Sequence, residues 1–183
     1  GNLGNPWLKT HNIDKLSEES VLLTNFHQDL LCTPSRASLM TGKYSLRTGA
    51  WRTSIGRSNM RSEEITVAEV FQKNGYRTGS FGKWHLGDVW PFRSIDQGFE
   101  EAVNLNCGGI GQISDYWGND YFDDVYYHNG KPQQYKGYCT DVFFDETIRF
   151  IKECKVAQEP FLIYLAPNVA HLPRIVEEKY SKP

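Results

Sequence analysis

Residues 160–166 have the sequence PFLIYLA, an apolar run that no charged residue interrupts. Such a run is typical of a buried strand with helices packed on both faces of its sheet. The preceding segment, residues 138–154, places Phe144, Ile148 and Ile151 at helical spacing. A helix that leads into a buried strand predicts an α/β fold with a mainly parallel sheet.

The same alternation continues upstream. Thr66 and Glu69 form the pattern of a capping box before a helix that ends at Gly75, and residues 76–81 follow as a predicted strand. Residues 86–137 are rich in Gly, Asp, Asn and Tyr without a sustained period, which predicts mostly loops. We expect ligand sites at the C-terminal ends of the strands, as in other open α/β sheets.

Three more elements are predicted from local signals. Asn12 predicts the cap of a short helix, and residues 21–26 then predict a strand. Thr33 predicts the cap of a second helix, with Pro34 in its first position and its end at Gly42.

A hairpin is the exception within residues 86–137. The dipeptide Asn129-Gly130 follows the apolar residues 125–128. This dipeptide is typical of a tight turn between two antiparallel strands. The sequence therefore predicts one hairpin in an otherwise irregular region.

The composition excludes several classes of protein. The chain has 183 residues, of which 39% are hydrophobic and 23% charged, so it can bury a core and is unlike disordered chains. A net charge of −2 provides no basic field for nucleic acid. The longest apolar runs are far shorter than the ~20 residues that a bilayer span requires. We expect neither a nucleic-acid partner nor a membrane span.

The cysteines do not form a structural framework. Cys32, Cys107, Cys139 and Cys154 contain no CxxC pair, so neither a zinc site nor a disulfide scaffold is predicted. If Cys139 and Cys154 share one helix, the rise per residue separates them by roughly 22 Å, too far for a disulfide.

Cys32 begins the sequence CTPSRASLMTG at residues 32–42. A thiol at a helix N-terminus meets free backbone N–H groups and the positive end of the helix dipole, and Arg36 adds a cation one turn later. Thiol and cation can therefore act on one oxyanion. A buried structural cysteine is the simpler alternative. A cysteine phosphatase is excluded, because its loop requires arginine where this chain has Ser38.

The pattern Cys-x-Pro-Ser-Arg-x-x-x-x-Thr-Gly in this stretch resembles the signature of the type I sulfatases. The resemblance implies that Cys32 is oxidised to formylglycine (3-oxoalanine) and that Pro34 and Arg36 belong to the modification signal. It also implies a formylglycine-generating or anaerobic maturation enzyme as a partner. The hydrated aldehyde would be the nucleophile, and its second hydroxyl allows sulfate to leave without attack by water at sulfur.

A second motif, GKWHLG at residues 82–87, follows Gly-Tyr-Arg-Thr at residues 75–78. Alternation along a strand predicts that Lys83 and His85 share one face. Alone, this pair is weak evidence for a site. The order of the two motifs is similar to the second sulfatase signature, which implies that Lys83 binds sulfate oxygens and the nucleophile. It implies that His85 hydrogen-bonds the formylglycine hydroxyl that loses its proton.

A third motif follows the apolar run, where residues 166–173 have the sequence APNVAHLP. A single loop histidine is usually a surface residue. The sulfatases often have Asn-x-Pro-His-x-Pro here, and Ala170 stands where they have proline. By this resemblance, His171 contacts the sulfate and the leaving oxygen.

The resemblance also implies one divalent cation, usually Ca²⁺. In the family it lies between an Asp pair on the first strand, the formylglycine and a later Asp-Asn pair. Neither pair has a match here, so Cys32 is the one implied metal ligand within residues 1–183. Asp115, Asp120, Asp123 and Asp124 lack the spacing of an EF-hand loop, and we expect a solvated loop there.

Taken together, the resemblance implies an alkaline-phosphatase-like α/β sandwich with a mainly parallel central sheet. Residues 1–183 would be part of a single catalytic domain without its first strand and C-terminal portion, and inactive alone. The implied reaction is hydrolysis of a sulfated small molecule or glycan to an alcohol and inorganic sulfate, in a periplasmic, secreted or lysosomal protein. The alternatives are a phosphate or phosphonate monoester hydrolase of the same superfamily, and a non-catalytic binder of sulfated glycans.

Overall fold

The computed structural model describes residues 1, 3–53 and 58–181. Its centre is a five-stranded sheet in the order β4-β3-β2-β1-β5. The strands are β1 Arg77–Lys83, β2 Glu101–Leu105, β3 Val125–His128, β4 Lys131–Gln134 and β5 Phe161–Ala166. β1 pairs in parallel with both β2 and β5, while β3 and β4 add an antiparallel hairpin at the other edge.

Helices cover both faces of this sheet. The described helices are α1 His11–Glu18, α2 Cys32–Thr41, α3 Val67–Lys73, α4 Cys139–Ala157 and α5 Glu178–Ser181. Of these, α2, α3 and α4 pack on the sheet, whereas α1 buries none of its residues. One buried cluster lies under α4 and joins Phe81 of β1 to Phe143 and Phe150. The other lies under α2 and α3 and includes Met40 and Trp84. The predicted α/β arrangement, with helices on both faces, is confirmed.

Strand β5 divides its side chains between the two clusters. Leu162 and Tyr164 pack against the cluster under α2 and α3, and Ile163 and Leu165 against the cluster under α4. These side chains are only partly buried, because β5 is an edge strand of the described sheet. The prediction of complete burial is therefore wrong.

Several local predictions are confirmed. Thr66 and Glu69 form both hydrogen bonds of the capping box at the start of α3. The helix over residues 138–154 is present as α4. The hairpin turns at Asn129-Gly130, where both residues have left-handed backbone angles, with φ of 47° and 79°.

Two predicted helix caps are wrong. α1 begins at His11, so Asn12 lies inside it. α2 begins at Cys32, two residues before Pro34, the expected first residue. Thr33 does not cap α2, because its hydroxyl donates to the carbonyl of His85 at 3.1 Å. A contact between distant parts of the chain thus outweighs the local capping preference of threonine.

Two strand predictions also differ from the structure. Residues 21–26 form no strand, and their apolar side chains are exposed, Val21 by 89%. β2 was not predicted, because Glu101 and Asn104 interrupt its apolar pattern. Both are buried with partners: Glu101 accepts from Arg149, and the Asn104 amide bonds Ser80 and Gly82. Among the described residues, none of the helices has the length and apolar character of a bilayer span.

Candidate functional site

The three sequence motifs meet at the C-terminal ends of β1 and β5. Lys83 is the last residue of β1, and the loop that follows β5 carries His171. β1 and β5 are parallel neighbours, so both ends lie at one edge of the sheet. Cys32 starts α2, and its thiol faces the Lys83 ammonium. The structure therefore brings Cys32, Arg36, Lys83, His85 and His171 together.

Arg36 is fixed against two strands of the sheet. Its Nη1 donates to the carbonyl oxygen of Lys83 at 2.7 Å and to the hydroxyl of Tyr164. The guanidinium carbon also lies 5.9 Å from the centre of the Tyr164 ring. We expected a guanidinium fork directed at an oxyanion beside Cys32. In the structure, Nη1 holds α2 against β1 and β5, and the action of the guanidinium on an oxyanion stays a prediction.

Lys83 is a buried cation with a backbone partner. Its side chain is 3% exposed, and its Nζ donates to the carbonyl of Gly108. Burial lowers the pKa of Lys83, the nearby Cys32 raises it, and Arg36 lowers it again. An anion bound beside this ammonium would stabilise its charged form.

His85 does not continue the strand. Its φ of 58° is left-handed, so the alternation that predicted a shared face with Lys83 ends at Lys83. The imidazole is nevertheless buried in the same site. Burial, followed by the charges of Lys83 and Arg36, lowers the pKa of His85 from 6.5 to about 3. The ring is therefore neutral at physiological pH.

His171 is anchored through its own loop. Its backbone N–H donates to the carbonyl of Asn168 at 2.9 Å, and Nδ1 lies 2.9 Å from the carbonyl oxygen of Leu172. A carbonyl can only accept, so Nδ1 carries a proton and donates it to Leu172, which leaves Nε2 as the nitrogen that can contact a ligand.

The turn at Gly108 and Gly109 connects the two histidines, and sequence reasoning missed it. A Cβ at Gly108 would lie 2.8 Å from Cε1 of His85, and one at Gly109 would lie 3.2 Å from Nδ1 of His171. Asn168, which is 2% exposed, accepts from the N–H of Ile110 at 3.3 Å. The glycine pair in the sequence was the available signal, since a side chain at either position would press on a histidine.

The acidic loop is more ordered than the sequence suggested. Asp124 is buried and accepts hydrogen bonds from the N–H groups of Asp120 and Tyr121 and from the hydroxyl of Tyr126. Burial raises the pKa of both Asp124 and Asp115. The expectation of a fully solvated loop is wrong for Asp124, whose carboxylate holds the loop together.

No group of three or more His, Cys, Asp or Glu side chains within residues 1, 3–53 and 58–181 could hold a metal ion. The Lys83 ammonium lies beside Cys32, and Arg36 adds a second positive charge. Such neighbours suit an anion, and Ca²⁺ needs several oxygen ligands. The described residues do not by themselves fit the cation that the sequence resemblance implied.

Two cavities open at the site. One, of about 1060 Å³, is lined by Cys32, Arg36 and Tyr164 together with residues 26–31. The other, of about 510 Å³, is lined by His85 and by the loop that contains Cys107 and Gln112. The site therefore has room for a small molecule beside Cys32 and beside His85.

Comparison with known proteins gives consistent results. The family model described as Sulfatase matches residues 1–183. The ulvan-active sulfatase of Formosa agariphila is 32% identical over 180 residues, which cover 94% of this chain and 33% of that protein. Arylsulfatase G of Mus musculus is 30% identical over 218 residues, which cover 100% of this chain and 41% of that protein.

A solved structure is also similar. The structure of BT4656 in complex with its substrate D-glucosamine-2-N,6-O-disulfate has a TM-score of 0.73 and 28% identity, and covers 92% of this chain and 31% of that one. This likeness confirms the predicted alkaline-phosphatase-like α/β fold. The chain spans about a third to two-fifths of the length of these relatives.

The low pKa of His85 predicts a pH dependence of stability. Below pH 6.5 the unfolded chain binds a proton that the folded chain accepts only near pH 3, so stability falls as the pH drops across this interval. The slope is at most about 1.4 kcal/mol per pH unit. Urea unfolding of the protein between pH 7 and 4 measures it. His85→Gln should remove this part of the slope, and His27→Gln, in an exposed loop, should retain it. Identical slopes in both variants would contradict the burial of a neutral His85.

Proposed function

The chain belongs to the sulfatase family, and from this premise we propose that residues 1–183 are part of a single catalytic domain that hydrolyses sulfate esters. The products would be an alcohol and inorganic sulfate. The observation that carries the proposal is the convergence of three separate motifs. They place a thiol, an ammonium and two imidazoles at one edge of the sheet, with Arg36 behind them.

Cys32 is the proposed nucleophile after its conversion to formylglycine by a maturation enzyme. When hydrated, formylglycine would supply one hydroxyl to attack sulfur and a second whose deprotonation releases sulfate. The position of Cys32 supports this role. It is the first residue of α2, where the free N–H groups and the helix dipole favour an anion, and it is partly accessible.

Lys83 is proposed to bind sulfate oxygens and the nucleophile. Its ammonium is held by the Gly108 carbonyl and faces Cys32, so it needs no rearrangement when negative charge develops there. Arg36 contributes in two ways. It adds positive charge to the site, and through its bonds to Lys83 and Tyr164 it keeps α2 in place against the sheet.

The two histidines are proposed to handle protons on opposite sides of the reaction. His85 has a pKa lowered to about 3, so its ring is neutral at physiological pH, and its free nitrogen can accept a hydrogen bond from the hydroxyl at position 32 that loses its proton. His171 is proposed to contact the sulfate and the oxygen of the departing alcohol. The contacts between the Gly108-Gly109 turn and both rings support a shared reaction centre.

The proposed cation stays a family expectation. Cys32, once modified, would be its one ligand within residues 1–183, and the acidic ligands would have to come from other parts of the protein. Because the described residues do not fit a Ca²⁺ site by themselves, no step of this mechanism depends on the cation.

Sulfated glycans are the proposed substrate class. The names of two relatives support this, since one is an ulvan-active sulfatase and another is the N-acetylgalactosamine-6-sulfatase of Canis lupus familiaris. The substrate in the BT4656 complex is a sulfated glucosamine. A periplasmic, secreted or lysosomal location is proposed on the same family resemblance.

Cys32→Ala tests the proposed reaction. In the full-length protein produced with a maturation enzyme, this substitution should abolish hydrolysis of 4-nitrophenyl sulfate, because the nucleophile is lost. Thermal unfolding should change little, since the Cys32 side chain is only partly buried. Turnover of 4-nitrophenyl phosphate is measured in parallel. Substantial sulfatase activity in Cys32→Ala would disprove the assignment, and a preference for the phosphate ester would favour the phosphatase alternative.

His171→Ala tests proton transfer to the leaving group. If His171 assists the departing oxygen, the loss in kcat/KM should be large for sulfate esters of poor leaving groups and small for activated aryl sulfates, which need little protonation. A series of substituted phenyl sulfates measures this dependence. Equal losses across the series would rule out the role.

A further inference from the structure

The cavity of about 510 Å³ beside His85 is lined mainly by polar side chains. Its hydrogen-bonding side chains are Thr53, Ser58, Asn59, Asp88, Gln112 and Ser114. Among its described lining residues there is no lysine, arginine, phenylalanine, tyrosine or tryptophan. Its volume falls in the range of small-molecule sites, about 300–1,000 Å³. The lining is therefore suited to a ligand that carries hydroxyl groups.

Gln112 lines this cavity beside the turn at Gly108 and Gly109. A Cβ at Gly108 would lie 2.6 Å from Oε1 of Gln112, and one at Gly109 would lie 3.4 Å from its Nε2. The same two glycine positions touch His85 and His171. The Gln112 amide therefore lies over the turn that connects the two proposed proton-handling residues.

The backbone of Gln112 is fixed while its side chain is available. Its N–H donates to the carbonyl of Gly109 at 3.2 Å, and its own carbonyl accepts from Asp115 at 2.8 Å. The side-chain Oε1 makes only a long contact of 3.9 Å with the thiol of Cys107. Within the part of the chain that the structure describes, Nε2 has no hydrogen-bond partner, so the amide can still donate and accept.

Asp88 stabilises the loop that carries Gln112 through two hydrogen bonds. One carboxylate oxygen accepts from the N–H of Cys107 at 3.0 Å, and the other accepts from the hydroxyl of Ser114 at 2.9 Å. Both bonds tie the loop over residues 107–114 to the segment that follows His85. Because its oxygens are engaged, Asp88 is a support of the cavity wall, whereas Gln112 presents a free polar group.

We propose that this cavity binds the alcohol part of the substrate and that Gln112 is a specificity-determining residue for a sulfated saccharide. Its amide would hydrogen-bond a ring hydroxyl close to the carbon that carries the sulfate ester. The assignment rests on the proposed sulfatase function and deepens it. A site that hydrogen-bonds a substrate hydroxyl discriminates against analogues without one, because the bound analogue leaves the amide without that hydrogen bond.

The test compares two kinds of substrate in the full-length, matured enzyme. The probes are methyl hexosides that carry one sulfate each, at position 2, 3, 4 or 6, and 4-nitrophenyl sulfate as a substrate without hydroxyl groups. The variant is Gln112→Met, which keeps the length of the side chain and removes its hydrogen bonds. The matched control is Gln133→Met, on the exposed strand β4.

The measured quantity is kcat/KM for the hexoside that the enzyme without substitutions cleaves best, divided by kcat/KM for 4-nitrophenyl sulfate. Gln112→Met should lower this ratio by about tenfold, the effect of one lost hydrogen bond of about 1.4 kcal/mol. Gln133→Met should leave the ratio unchanged. A deoxy hexoside without the recognised hydroxyl should lose activity with Gln112 in place and lose little more with Gln112→Met.

An unchanged ratio in Gln112→Met would overturn the proposal. Hydrolysis of 4-nitrophenyl sulfate without hydrolysis of any sulfated hexoside would also overturn it, while the proposed sulfatase function would stand. If the matured enzyme hydrolysed neither kind of substrate, the proposed function itself would fail, and the assignment of Gln112 with it.

Discussion

The close approach of β1 and β5 at Gly82 is the constraint on which the site depends. Gly82 pairs with Ala166 in the parallel register and has a left-handed φ of 98°. A Cβ at this position would lie 2.2 Å from the carbonyl oxygen of Ala166, a distance that no side chain tolerates. Because the two strand ends meet here, Lys83 at the end of β1, His85 just after it and His171 in the loop after β5 reach the same site.

The positive charges of Arg36 and Lys83 make this edge of the sheet suited to an anion. Arg36 and Lys83 are bound to carbonyl oxygens, and no described carboxylate forms an ion pair with either of them. A buried ammonium without a counter-ion is costly, which is why burial lowers the pKa of Lys83. A sulfate group would supply the missing negative charge. Burial, followed by the charges of the same two cations, keeps His85 neutral, so one arrangement provides both the anion site and a neutral imidazole beside it.

The sequence predicted the parts of the site that local patterns determine. Residues 32–42, 82–87 and 166–173 carry the proposed reacting groups, and the last two of these motifs lie at the ends of strands that the sequence predicted. Contacts between distant residues determine the rest. Tyr164 meets Arg36 only after β5 pairs with β1. The Gly108-Gly109 turn and Gln112 lie in a region of the sequence without periodicity. The sequence pattern does not reveal β2, because the polar residues Glu101 and Asn104 can be buried in it only with partners from other parts of the chain.

The central claim is that converted Cys32 performs the chemistry, and the dependence of activity on conversion tests it most directly. Preparations of the full-length protein with different extents of maturation would be compared. Peptide mass spectrometry gives the converted fraction, because the change from thiol to aldehyde removes about 18 Da. We predict that the rate of 4-nitrophenyl sulfate hydrolysis is proportional to this fraction and extrapolates to zero in unconverted protein. A rate that is independent of the converted fraction would contradict the account.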